Sequence, residues 1–195
     1  MPMALDALSD VSDEALLVLY ANGDPWAARA LTLRLTPRLL GFAALMLADR
    51  TEAEDVTQEA MLRLWRMAPG WQQGGARVST WLYRVASNLC LDRLRKSRPR
   101  GLEEVAEPED AAPGAVARLI EADRMLALDR ALTALPDRQR QAVVLRHIEG
   151  LTNPEIAAVM DIGVEAVESL VARGKKGLTA LLSGRRAELG FEDGD

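Results

Sequence analysis

The sequence predicts an all-α protein made of two small helical domains joined by a flexible acidic linker. Three observations carry this. Apolar residues recur at helical spacing through eight segments on both sides of the chain's middle. No run alternates apolar and polar residues, and no Asn-Gly or Asp-Gly pair stands between apolar runs, so strand and hairpin signals are missing. Between the two helical halves lies a stretch, from Pro99-Arg100-Gly101 to Ala112-Pro113-Gly114, with three Pro, two Gly and no helical period.

The helices are expected at 12–22, 25–48, 52–67 and 79–98, then at 116–134, 137–149, 153–160 and 164–182. Their starts are marked in the sequence. Ser12 or Asp13 can cap the first, and Asp24-Pro25 opens the second. Thr51-Glu52-Ala53-Glu54 reads as a capping box, as does Thr152-Asn153-Pro154-Glu155, where proline in the first turn loses no hydrogen bond. The implied division is a first domain over 1–99, a linker over 100–117, a second domain over 118–183 and a polar tail over 184–195.

Composition excludes several classes. One Cys rules out a disulfide framework, and one Cys with one His leaves too few ligands for a His/Cys zinc site, so neither metal nor cofactor is expected. The longest apolar run, Leu39 to Ala48, has ten residues, short of the roughly 20 that a spanning helix needs. The acidic N-terminal stretch lacks the cations of a targeting peptide. A cytoplasmic protein without membrane insertion is expected. His147 has no partner pattern, and Cys90 between Leu89 and Leu91 reads as an inert buried thiol, so no enzyme is expected.

A net charge of −5 would ordinarily argue against nucleic-acid binding. Its distribution removes the objection. Residues 1–100 hold 13 cations and 11 carboxylates, and residues 124–195 hold 10 and 11, whereas 101–123 hold one and seven. The linker is therefore the acidic part, either a solvated tether or a shield for a basic surface.

Four patterns carry functional information. In helix 52–67, Ala53, Val56, Ala60 and Leu64 form the inward face, while Asp55, Gln58, Glu59 and Leu62 share a second stripe. That stripe is either solvated or a surface that docks on a basic protein. In helix 79–98, Trp81, Leu82, Val85, Ala86, Leu89, Cys90 and Leu94 form an apolar face, opposite Arg84, Ser87, Asn88, Leu91 and Arg95. Arg93, Arg95, Lys96, Arg98 and Arg100 follow without a carboxylate, a cluster able to neutralise phosphates. The polar, glycine-rich loop Pro69 to Gly75 before this helix has room for an unstacked base. Finally, helices 153–160 and 164–182, broken at Asp161-Ile162-Gly163, have helix-turn-helix spacing. Val164, Val167, Val171, Leu178 and Leu181 face inward there, and Ala142, Val143, Leu145 and Ile148 of the preceding helix complete a small core. That helix also carries Arg138, Arg140 and Arg146. Glu165, Glu168, Ser169, Ala172 and Arg173 face outward, where a recognition helix meets the major groove. An ordinary helical hairpin has the same outline.

Taken in order, these segments resemble one family. Ala53-Glu54-Asp55-Val56-Thr57-Gln58-Glu59, then Ser79-Thr80-Trp81-Leu82-Tyr83-Arg84-Val85-Ala86-Ser87-Asn88, then Asp92-Arg93-Leu94-Arg95 precede the acidic linker. Leu132 to Arg140 and Gly150 to Ala157 follow it. This is similar to the extracytoplasmic-function (group IV) sigma factors of bacterial RNA polymerase, over about residues 12 to 183. The resemblance implies a sigma-2-like bundle and a sigma-4-like helix-turn-helix. It implies that Asp55, Gln58, Glu59 and Leu62 bind the β′ clamp of core RNA polymerase. It further implies that Trp81, Tyr83, Arg84 and Asn88 open and read the −10 element, with Arg93, Arg95 and Lys96 near phosphates and Gln72 to Ser79 around a flipped base. Glu168, Ser169, Ala172 and Arg173, with Lys175 and Lys176 as lesser candidates, would read −35 duplex in promoter DNA while the same domain touches the β flap. An anti-sigma factor and a monomeric free state are also implied.

The chain departs from the family's pattern in two places. Ser87 stands where many members carry a cation, and Glu168 and Leu170 replace cations in the recognition helix. A stand-alone helix-turn-helix regulator, acting on an operator without polymerase, is the alternative reading, with a helical adaptor behind it.

Overall fold

The computed structural model describes residues 8–72, 74–75, 77–97 and 116–183, and among these every regular element is helical. The linker core at 101–115 and the tail at 184–195 lie outside the described residues, as do Arg98 and Arg100. Helices α1 (Asp13–Ala21), α2 (Pro25–Leu47), α3 (Arg50–Met67) and α4 (Val78–Ser97) form the first bundle. Helices α5 (Val116–Thr133), α6 (Asp137–Val143), α7 (Asn153–Met160) and α8 (Val164–Ser183) form the second unit.

The helix starts have visible causes. Ser12 Oγ accepts from the Ala15 amide at 3.2 Å, and Asp24 Oδ1 accepts from the Trp26 amide at 2.8 Å just ahead of Pro25. Thr152 and Glu155 close the expected capping box at α7. At α3 the cap is not Thr51. Ala48 turns left-handed at φ 54°, which brings Asp49 into position to accept from the Glu52 amide at 2.9 Å. Helix α4 is capped from a distance, because Glu14 Oε1 accepts from the Val78 amide at 3.0 Å.

Helix α2 is the spine of the first bundle. Leu31, Leu35, Leu39, Phe42 and Met46 repeat along one face and are buried against Leu16 and Leu17 of α1, Val56, Ala60 and Leu64 of α3, and Leu82, Ala86 and Cys90 of α4. Its 23 residues are long and apolar enough to cross a bilayer by length and composition, more than the ten-residue run suggested. In the fold that apolar face is the core, and Arg29, Arg34 and Arg38 lie on the rest of the helix. Arg34 reaches back to the carbonyls of Leu8, Ser9 and Val11, each at 2.6 Å, and so fastens the N-terminal segment.

In the second unit, the expected single helix 137–149 changes pitch. Residues Val144–Ile148 form a π turn, in which the Glu149 amide donates to the Val144 carbonyl at 3.0 Å, and Gly150 then leaves at φ 73°. The wider turn rotates the residues at its C-terminal end. Ile148, expected in the core, is 46% exposed, and Glu149 swings toward the first bundle. Arg140, one of the three arginines of this helix, takes a place the sequence did not assign. It is buried, and its guanidinium donates to the carbonyls of Thr133 and Met46 while pairing with Asp137. Leu181, expected inward, is 45% exposed near the free end of α8, and Val164 is exposed at its start.

Helix α8 crosses α6 at glycine. A Cβ at Gly174 would lie 2.5 Å from Val143 Cγ2 and 3.2 Å from the Gln139 carbonyl oxygen, so only a hydrogen lets the two helices approach this closely. Gly174→Ala is therefore expected to destabilise the chain by about 1–3 kcal/mol in urea unfolding. Wild-type stability for this variant would show that the α6–α8 packing is loose.

Candidate nucleic-acid and polymerase interface

Three surfaces carry the residues singled out in the sequence. On α3, Asp55, Gln58 and Leu62 are exposed and Glu59 is half-exposed. Glu59 Oε1 accepts from Arg63 Nε at 2.7 Å, and that hydrogen bond holds its carboxyl below the usual range. The neighbouring groove against α2 is lined by Thr36, Leu40, Thr57, Met61, Leu62 and Trp65, so charge and apolar surface lie side by side.

On α4, Asn88 is exposed and Trp81 half-buried. Trp81, expected on the apolar face opposite Arg84 and Asn88, instead shares one stripe with them at i, i+3 and i+7. One residue expected on the outer stripe, Ser87, and one that the resemblance gives to the −10 element, Tyr83, are elsewhere. Ser87 is buried, with its hydroxyl unpartnered among the described residues. Tyr83 is buried too: its ring packs edge-on against Phe42 at a centroid distance of 5.4 Å, and its hydroxyl donates to Glu149. Burial, then the Glu149 carboxylate, push the phenol's pKa well above its ordinary value.

The basic end of α4 is also more selective than a run of cations implies. Arg93 is half-buried and turns to α3, donating to the Glu52 carbonyl at 2.9 Å and pairing with the Glu52 and Asp55 carboxylates. Arg95 is exposed beside Asp92, and Lys96 is exposed. Arg95 and Lys96 are thus the outward cations in the described part of this segment, and Arg93 ties the α3 stripe to α4. Gln72, Gly74 and Gly75 of the preceding loop are exposed, and Trp71 Nε1 is buried without a partner among the described residues.

On α8, Glu168, Ser169, Ala172, Arg173, Lys175 and Lys176 are all exposed, while Val167 and Gly174 face inward. Arg173 Nε donates to the Ser169 carbonyl at 3.2 Å, which lays this side chain along the helix. The turn before α8 is set by Asp161 at φ 55°, ψ 51°, with the Ile162 amide donating to the Ala157 carbonyl at 3.1 Å. A left-handed C-cap and a short turn give the helix-turn-helix angle.

A helical bundle with an exposed acidic stripe, beside a helix-turn-helix whose second helix is exposed, has the outline of a two-module DNA-recognition protein. Comparison with known proteins narrows the class. The family model for sigma-70 region 2 matches residues 31–100, and that for sigma-70 region 4 matches residues 125–178. The chain is 34% identical over 171 residues to the ECF RNA polymerase sigma factor SigM of Mycobacterium tuberculosis, covering 88% of this chain and 85% of that one. It is 30% identical over 151 residues to the ECF RNA polymerase sigma factor SigW of Bacillus subtilis, covering 68% and 76%. Among solved structures it is similar to CnrH in complex with the cytosolic domain of CnrY, with a TM-score of 0.68, 27% identity and coverage of 88% and 97%. The sigma factor RpoE of Bartonella quintana, solved with the anti-sigma factor NepR, has the same fold at a TM-score of 0.63 and 22% identity, with coverage of 80% and 96%.

The chain belongs to the extracytoplasmic-function sigma factors of the sigma-70 family, and as an alternative sigma factor it directs transcription initiation. Sigma factors are initiation factors rather than enzymes.

The one thiol fits a purely structural role. Burial pushes the Cys90 thiol up to about 12, against the opposing pull of Arg93 and Arg140. At pH 8 the thiolate is scarce and shielded, so native protein should react with a disulfide reagent at least about 100-fold slower than urea-unfolded protein. Equal rates would show that this helix opens readily.

Proposed function

We propose that the three surfaces divide the work of initiation. Asp55, Gln58, Glu59 and Leu62 of α3 dock on the β′ clamp of core RNA polymerase. Trp81, Arg84, Asn88, Arg95 and Lys96 of α4 hold the melted −10 strand, and Tyr83 joins them once it is uncovered. Arg93 positions this helix against the docking stripe, in place of the direct phosphate contact expected from sequence. Glu168, Ser169, Ala172 and Arg173 read the −35 duplex, with Lys175 and Lys176 beside the backbone, and the same domain meets the β flap. The domains run 1–99 and 118–183 across a tether at 100–117. The chain acts in the cytoplasm, free as a monomer, without metal, cofactor or catalysis of its own, and an anti-sigma factor restrains it.

The observation that carries this reading is the separation of surfaces. The α3 stripe is acidic with an exposed leucine, so it suits a basic protein surface and repels phosphate. Asn88 offers both a donor and an acceptor to a base edge from a helix that ends in outward cations. Glu168 can accept from a cytosine N4 amine in the major groove and disfavours phosphate, so duplex affinity falls to Arg173, Lys175, Lys176 and helix N-termini. Most of the affinity for promoter then comes through polymerase, which also separates this reading from a stand-alone regulator.

Two variants separate the roles. Asn88→Ala should lower open-complex formation by about tenfold, matching the roughly 1–3 kcal/mol of one good base contact, with core binding within about twofold of wild type. Leu62→Asp should weaken core binding in a pull-down, with open-complex formation restored at saturating core polymerase. Equal loss of both activities in Asn88→Ala, or an open-complex defect of Leu62→Asp that saturating polymerase does not restore, would contradict the division. Glu168→Lys should change the preferred −35 sequence in a promoter-library selection, and an unchanged profile would remove Glu168 from base reading.

A further inference from the structure

Helix α4 does not begin on one of the usual capping residues. Arg77, which stands before Val78, carries donors only and cannot accept from the free amides of the first turn. The acceptor comes from 64 residues away, where Glu14 Oε1 of α1 meets the Val78 amide at 3.0 Å. Val78 is fully buried, so water cannot take over that role.

The helix that carries Glu14 is firmly held. Ser12 caps it, Leu16 and Leu17 are fully buried in the core, and Arg34 of α2 pairs with Asp13 at 3.2 Å while gripping the carbonyls of Leu8, Ser9 and Val11. The two carboxylates of its first turn thus have separate partners, Asp13 on α2 and Glu14 on α4. The loop before α4 rests on the same helix at its other end. The single turn Ala68–Gly70 packs against α1, with Ala68 buried. Both anchors of this loop are therefore on α1, and Gln72, Gly74, Gly75 and Arg77 between them are exposed. Gly74 takes φ 94°, and glycine-bearing backbone has little stiffness of its own, so the anchors decide where the exposed groups lie. Trp81 follows Val78 by one turn and moves with the same anchor.

We propose that Glu14 is a positioning residue for −10 recognition: from α1 it fixes the start of α4, and so sets Gln72, Gly74, Gly75 and Arg77 around one extruded base of the −10 strand. This deepens the assignment of α4 to the −10 strand and rests on it. Glu14 touches no DNA. It acts through the reach of its oxygen, which ties two helices together, more than through its charge. The loss on removing it falls on the extruded base, which the loop and the first turn of α4 hold. Asn88 lies about three turns further along α4 and keeps its contact.

The test uses full-length variants assembled with core RNA polymerase on promoter templates in which each −10 position is varied in turn. 2-Aminopurine, which brightens when unstacked, is placed at each −10 position of the non-template strand and identifies the extruded base in the wild-type complex. Glu14→Gln keeps an oxygen acceptor at the same reach and removes the charge. Glu14→Asp keeps the charge and draws the acceptor back by one methylene. Glu14→Ala removes both, and Glu14→Asp covers the case in which it misfolds. We expect Glu14→Ala and Glu14→Asp to lose about tenfold of the base preference at the extruded position, in line with one good base contact, with the other −10 positions and core binding within about twofold of wild type. Glu14→Gln should match wild type. Wild-type preference at that position in either folded variant would overturn the proposal, as would the absence of any brightening in the wild-type complex. Equal loss at every −10 position would also overturn it, because that marks general destabilisation. So would a Glu14→Gln variant as impaired as Glu14→Ala, which puts charge and not the tie in control. Asn88→Ala tests the underlying reading: if it leaves every −10 preference unchanged, the assignment of α4 fails and the role of Glu14 with it. If Asn88→Ala alters −10 preference and the Glu14 variants do not, only the role of Glu14 fails.

Discussion

Burial of one face of α2 is the constraint on which the rest of the structure depends. Leu31, Leu35, Leu39, Phe42 and Met46 have no water-facing alternative, and covering them requires α1, α3 and α4 together. Each covering helix must then turn its own polar face outward. That is how Asp55, Gln58 and Leu62 come to lie on one accessible stripe and Asn88 on another. The same helix, through Arg38 and the carbonyl of Met46, also meets the second domain. A single apolar spine therefore fixes the exposed stripe of α3, the exposed face of α4 and the seam between domains.

The second domain obeys a different constraint. It is too small for a deep core, and it relies on close backbone approach at Gly174, a capping box at Thr152 and the buried Arg140 network. Its π turn lengthens the path before α7 and carries Glu149 out of the helical register. Irregular backbone of this kind often marks a functional position, and here it delivers the carboxylate that meets Tyr83.

Much of the fold was legible in the sequence, because helix boundaries were written in local chemistry. The Ser12, Asp24 and Thr152 caps and the apolar periods depend on residues three or four apart, and the structure places the eight helices within a few residues of those signals. The three candidate surfaces were legible for the same reason. What escaped depends on distant partners. Tyr83 looks like a surface aromatic until Glu149, 66 residues away, is placed against it. Arg93 looks like part of a cationic run until Glu52 and Asp55 of α3 meet it. Ser87 and Ile148 changed faces, and Arg140 is buried, because tertiary packing or the π turn set their orientation, and helical spacing carries neither. The local signal that could have found Glu149 is the glycine beside it, at a helix end that otherwise has no reason to bend.

As an alternative sigma factor this chain directs transcription initiation, and the proposed division of surfaces leaves it little affinity for DNA alone. Run-off transcription from a randomised promoter library, with core polymerase and full-length protein, puts both halves of that statement at risk. Transcripts are expected from a subset of templates that share one −35 and one −10 element, and none with either component omitted. Transcription that ignores the added protein, together with tight sequence-specific duplex binding by the chain alone at physiological salt, would contradict it.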